Sequence, residues 1–101
     1  MKRYHDSLVK SLKDPEEAAA YLNAVLEGGD NKMFLVALKN VAEAHGGMVK
    51  LSHTTKLNRA NLYQIFSGSG NPEIRTLAVI LNDLGLRLAV AARPKRHLRA
   101  A

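Results

Sequence analysis

The chain has 101 residues, with 15 Lys or Arg, nine Asp or Glu and no cysteine, for a formal charge of +6. That length suits one domain, and 47% apolar with 24% charged residues is a globular rather than a disordered composition. The missing cysteine excludes disulfide frameworks, thiolate metal sites and thiol catalysis. No apolar run reaches the roughly 18–20 residues of a membrane span, and Met1-Lys2-Arg3 is followed by recurring charges rather than a signal-peptide core. A cytoplasmic protein attracted to polyanions, nucleic acid first among them, is the expectation.

In chain order, residues 1–13 show weak periodicity and read as an N-terminal arm, extended or partly ordered. Asp14-Pro15-Glu16-Glu17 is a helix start: a capping carboxylate, a proline suited to the first helical position and two acids at the positive dipole end. Ala18, Tyr21, Leu22, Val25 and Leu26 then recur at helical spacing, and Gly28-Gly29 ends the helix. Asp30 or Asn31 caps the next, whose buried stripe is Phe34, Leu35, Leu38, Val41 and Ala42, and Gly46-Gly47 stops it. Residues 48–55 form a short helix with Met48, Val49 and Leu51 inward. Lys56-Leu57-Asn58 is a tight connection, and Asn58 caps a helix with Leu62, Ile65 and Phe66 on its apolar side. Ser67-Gly68-Ser69-Gly70-Asn71-Pro72 is the plainest loop. Ile74, Leu77, Ala78, Ile80, Leu81 and Leu84 describe a longer helix closed by Gly85. Residues 86–90 read either as a short strand, which would pair with a second copy, or as a packed extended tail, before Pro94 ends regular structure. The fold class is all-α: a five-helix bundle containing a helix-turn-helix, with residues 1–13 as arm, 14–90 as DNA-binding domain and 91–101 as basic tail.

The charge is unevenly placed. Between Asp14 and Asp30 there are five acids and no Lys or Arg, whereas between His45 and Pro72 there are three bases (Lys50, Lys56, Arg59) and no acid. That asymmetry suggests two faces with different partners.

The acid-free stretch carries the informative pattern. A short helix, a three-residue turn and a second short helix fit a helix-turn-helix, whose second helix enters the major groove with small or polar side chains. With Leu62, Ile65 and Phe66 inward, Arg59, Ala60, Asn61, Tyr63 and Gln64 face outward. Arg suits guanine, Asn and Gln suit adenine, and Ala can touch a thymine methyl. Lys50 and Lys56 are candidate phosphate contacts.

Here the chain resembles a family. Leu51-Ser52-His53-Thr54-Thr55-Lys56-Leu57-Asn58-Arg59 is similar to the helix-turn-helix segment of Cro- and lambda-repressor-type proteins, and the 67–72 loop followed by Leu77 continues that pattern. Four segments in order resemble the addiction-module antidote proteins, HigA-like antitoxins. They are Ala19-Ala20-Tyr21-Leu22-Asn23, Leu57-Asn58-Arg59-Ala60-Asn61-Leu62-Tyr63, the Ser-Gly-Ser-Gly-Asn-Pro loop and Leu84-Gly85-Leu86-Arg87-Leu88. Two positions depart from the broad class: Lys56 stands where Gly is frequent, and Ser52 where Ala is.

The resemblance implies a transcriptional autorepressor that also neutralises a small basic RelE- or HigB-like ribonuclease toxin. By carry-over Asn58, Arg59, Ala60, Asn61, Tyr63 and Gln64 belong to the DNA-reading helix and its cap, and Asn71 to the following loop. Met48 and Val49 lie at the amino end of the preceding helix, where backbone N–H groups can meet a phosphate. Charge adds an expected toxin-docking face of Glu16, Glu17, Tyr21 and Glu27. A homodimer on double-stranded operator DNA follows from the small area one module buries. The alternative is a phage-type repressor without a toxin, and beyond it a helical adaptor. No enzyme, metal or cofactor is expected. His5, His45, His53 and His97 are dispersed, and the Ser-Gly-Ser-Gly loop lacks the lysine of a phosphate-binding loop.

Overall fold

The computed structural model describes residues 2–94. Among the described residues the chain is all-helical, with no strand. Six α-helices follow one another: α1 Lys2–Ser11, α2 Pro15–Glu27, α3 Asn31–Ala44, α4 Gly47–Thr55, α5 Arg59–Gln64 and α6 Ile74–Asp83. A wider π-type turn, Ile65–Ser69, prolongs α5.

The sixth helix is α1, where an extended or partly ordered arm was expected. Ten residues are too few for a helix to persist alone in water, so packing holds it. Leu8, Val9 and Leu12, at i, i+1 and i+4, form a short apolar stripe laid on α3. Leu12, just past the helix, is only 1% exposed. His5 Nε2 lies 3.5 Å from Glu43 Oε1 across the same seam.

The helix starts follow their cap chemistry. Asp14 Oδ1 accepts from Glu16 N at 2.9 Å, with Pro15 opening α2. Asp30, rather than Asn31, caps α3, accepting from Lys32 N at 3.0 Å and Met33 N at 3.3 Å. Helix α3 is the centre of the molecule: it packs against α1, α2, α4 and the π-type turn, burying Leu35, Ala37, Leu38, Val41, Ala42 and Ala44. The core is mostly aliphatic, and among the described residues no polar or charged residue is buried in it. Leu26, Val49 and Ile74, expected inward, are instead 51%, 62% and 76% exposed. Leu26 is the next-to-last residue of α2 and Ile74 the first of α6, so both overrun their neighbours. In α4 the inward side is set by Met48 and Leu51, three residues apart, which turns Val49 about 100° away from Met48.

Two further segments differ from expectation. The first half of the 67–72 loop is drawn into the π-type turn, which kinks at Gly68: that residue is buried at the non-helical φ +89°, and a Cβ there would lie 3.6 Å from the Lys32 side chain. The burial of Ile65 and Phe66 carries the chain on against α3 before it can leave the surface. Residues 86–90 are not a strand. A strand needs a neighbour for its N–H and C=O groups, and the described residues hold no other. Instead Gly85, at φ +82°, reverses the chain so that Leu86 N donates to Leu81 O at 2.8 Å and ends α6. Leu86 packs on the core, and the segment then runs extended with Val90 wholly exposed.

Candidate nucleic-acid interface

The α4–turn–α5 unit is built from hydroxyls and one strained residue. Thr55 Oγ1 donates to Leu51 O at 2.6 Å and accepts from Leu57 N at 3.2 Å, which carries the chain out of α4. Ser52 Oγ donates to Leu57 O at 2.6 Å, tying the turn back to α4. Serine at position 52 therefore closes the turn, besides being small enough to pack. Lys56 sits at φ +63°, ψ +22°, a left-handed conformation that costs a non-glycine residue about 1 kcal/mol. Asn58 Oδ1 then accepts from Asn61 N at 3.2 Å and starts α5. Thr54 Oγ1 donates to Asp83 Oδ2 at 2.9 Å, joining α4 to α6. Replacing Lys56 by glycine is expected to raise unfolding free energy by about 0.5–1 kcal/mol, since glycine meets no steric penalty there; thermal denaturation reads this directly.

Helix α5 has only six residues, and its direction is set by what it buries: Leu62 is fully buried, and Ile65 and Phe66 continue that side into the π-type turn. Arg59, Ala60, Asn61, Tyr63 and Gln64 are all exposed, as their spacing requires, with Tyr63 55% exposed. Lys50, Lys56, Asn58 and Asn71 are exposed as well. Asn61, Gln64 and Asn71 line one hollow of about 580 Å³ between α5 and the start of α6. Glu73, the first acid after the acid-free stretch, lines the same hollow. Sequence order separates Glu73 from α5, and only the fold of the loop brings it back.

The acidic side is narrower than the sequence suggests. Of its five acids, Asp14 and Asp30 are helix caps. Glu16, Glu17 and Glu27 remain exposed on α2. Glu16 and Glu27 are eleven residues apart, so they share one face about 16 Å apart, with Glu17 about 100° around. The extended segment runs beside this helix: Arg87 lines a hollow with Glu16, and Arg93 one with Glu27. Tyr21 is half-buried against the core, and its hydroxyl accepts from Asn40 Nδ2 at 2.9 Å, linking α2 to α3. The rest of the basic tail, with Lys95, Arg96, His97 and Arg99, lies outside the described residues.

No helix among the described residues is long and apolar enough to cross a membrane, and no group of His, Asp or Glu there is arranged to hold a metal ion. No solved structure matches the chain. It is 30% identical over 83 residues to an uncharacterized protein of Haemophilus influenzae, a match spanning 82% of this chain and 84% of that protein. Residues 3–92, from α1 to the extended segment, match a family described as probable addiction module antidote protein, and the chain belongs to that family.

Proposed function

We propose that the chain is the antitoxin of a two-component module, neutralising a RelE- or HigB-like toxin and repressing its own operon by sequence-specific DNA binding. The observation that carries the DNA half is the exposed side of α5. Arg59, Ala60, Asn61, Tyr63 and Gln64 stand together on an acid-free helix held by an αL turn, the arrangement of a helix-turn-helix reader. Lys50, Lys56 and Asn71 flank it as phosphate contacts, with the Met48 and Val49 N–H groups at the amino end of α4. The protein acts as a two-fold dimer on a two-fold operator, because one small module buries too little for specific affinity.

The toxin half rests on family membership and on α2, where Glu16, Glu17 and Glu27 offer a negative face to a basic partner, with half-buried Tyr21 about 40° beyond Glu17 as its apolar edge. Co-expression with the adjacent open reading frame tests it: co-purification and rescue of growth are expected, and a neighbour that neither binds nor poisons the cell overturns it. Mobility shift with the protein's own upstream DNA tests the repressor half, where absence of a shift at micromolar protein counts against it. Reversal of Glu16, Glu17 and Glu27 to lysine is expected to slow toxin association about tenfold at low salt. An unchanged association rate in stopped-flow mixing removes α2 from the interface.

A further inference from the structure

Helix α1 was expected to be an arm and is instead part of the bundle, and what it carries there bears on the DNA surface. The end of α1 and the turn beyond it bring Lys10 and Lys13 into one open hollow of about 620 Å³ with Gly46 and Gly47. Those glycines open α4, so cations more than thirty positions away in sequence meet at the amino end of that helix. Lys50 joins them. Its stem lies against Gly46, where a Cβ would come within 2.5 Å of Lys50 Cδ, so the side chain runs back toward the start of α4. Two carboxylates face the same hollow, Asp6 and Glu43, and Glu43 is 3.5 Å from His5 Nε2. Lys10, Lys13 and Lys50 therefore outnumber these two acids, in keeping with a first stretch, residues 1–13, that holds four Lys or Arg against Asp6 alone.

The position of this cluster relative to α5 identifies a partner. Helix α4 separates the two: nine residues at 1.5 Å each place its start about 13 Å from the turn that leads into α5. The major groove is about 12 Å wide. With α5 in the groove, the preceding helix of a helix-turn-helix crosses the phosphate backbone, which would bring the lysines gathered at the start of α4 toward phosphate.

We infer that Lys10 and Lys13 make α1 a phosphate-contacting extension of the DNA surface, adding sequence-independent affinity beside the α4–α5 reader. The inference rests on the DNA-binding reading above. Each neutralised phosphate contributes about 0.9 to the slope of log affinity against log salt. The variant K10A/K13A should therefore have a slope shallower by about 1.8, losing about tenfold less affinity than the parent between 50 and 200 mM salt. The change should be the same on upstream DNA and on an unrelated duplex, with base preference kept. Both lysines are exposed, so the melting temperature should hold. Should it fall, K10R/K13R decides: a parental slope with arginine supports a charge role, and a shallow slope with arginine overturns it. An unchanged slope in K10A/K13A, or a loss confined to upstream DNA, also overturns the inference. A parent protein that binds no duplex at any salt overturns the DNA reading itself, and this inference with it.

Discussion

Truncating Leu38 to alanine is expected to lower the unfolding free energy by about 3–4 kcal/mol. Leu38 is fully buried at the middle of α3, the helix that α1, α2, α4 and the π-type turn all pack against. No single neighbour can move to fill the space without losing its contacts elsewhere, so the cavity persists and adds its cost to the lost transfer free energy. At about 4–8 °C per kcal/mol for a domain of this size, melting should fall by about 12–32 °C. Urea denaturation should show a lower midpoint with an unchanged slope. The contrasting variant is Leu26→Ala, at a half-exposed site, expected to cost under about 1 kcal/mol. Similar losses at the two positions would mean that α3 is not the centre of the fold.

Replacing Arg59 by alanine is expected to cost about 1–3 kcal/mol in operator binding, roughly 10–100-fold, while leaving the fold intact. Arg59 is the first residue of α5, exposed and adjacent to the Asn58 cap, so on the proposed DNA reading it stands at the end of the helix that would enter the groove first. The loss should be position-specific: against a panel of altered operator duplexes, discrimination should relax at one base pair and persist at the others. Lysine should not restore it, because a point charge cannot reproduce the two parallel hydrogen bonds of a guanidinium on guanine. A uniform loss on every duplex would move Arg59 from the base-reading group to the phosphate contacts. This pattern separates it from Lys10 and Lys13, whose removal should weaken all duplexes alike.

The legible parts of the fold share one physical property: their signal is local. Asp14, Asp30 and Asn58 all cap helices in the structure. The stripe Leu62, Ile65 and Phe66 is buried, and with it the exposure of Arg59, Asn61 and Gln64 follows from helix geometry alone. What escaped the sequence was decided by distant contacts. Helix α1 and the residue after it carry Leu8, Val9 and Leu12 among charges, and the helix exists because α3 receives them. Gly68 reads as a loop residue until Phe66 and Lys32 define where it must sit. The hydroxyls of Ser52 and Thr55 look like helix-surface residues, and only the turn reveals what they bind. The acidic segment looked free of bases because Arg87 and Arg93 are some seventy residues from Glu16 and Glu27 along the chain.

The wholly apolar core divides this protein's sensitivities by solvent variable. Among the described residues no buried ion pair or fully buried polar side chain contributes to the fold, and the charges lie on the surface. If the proposed DNA reading holds, ionic strength should act on the complex far more than on the bundle: a rise in salt should strip phosphate contacts while burial of Leu12, Leu38, Leu62 and Ile80 continues to hold the chain together. Urea does the reverse, acting on the bundle first. An elution in salt should therefore return native protein ready to rebind on dilution, without a refolding step.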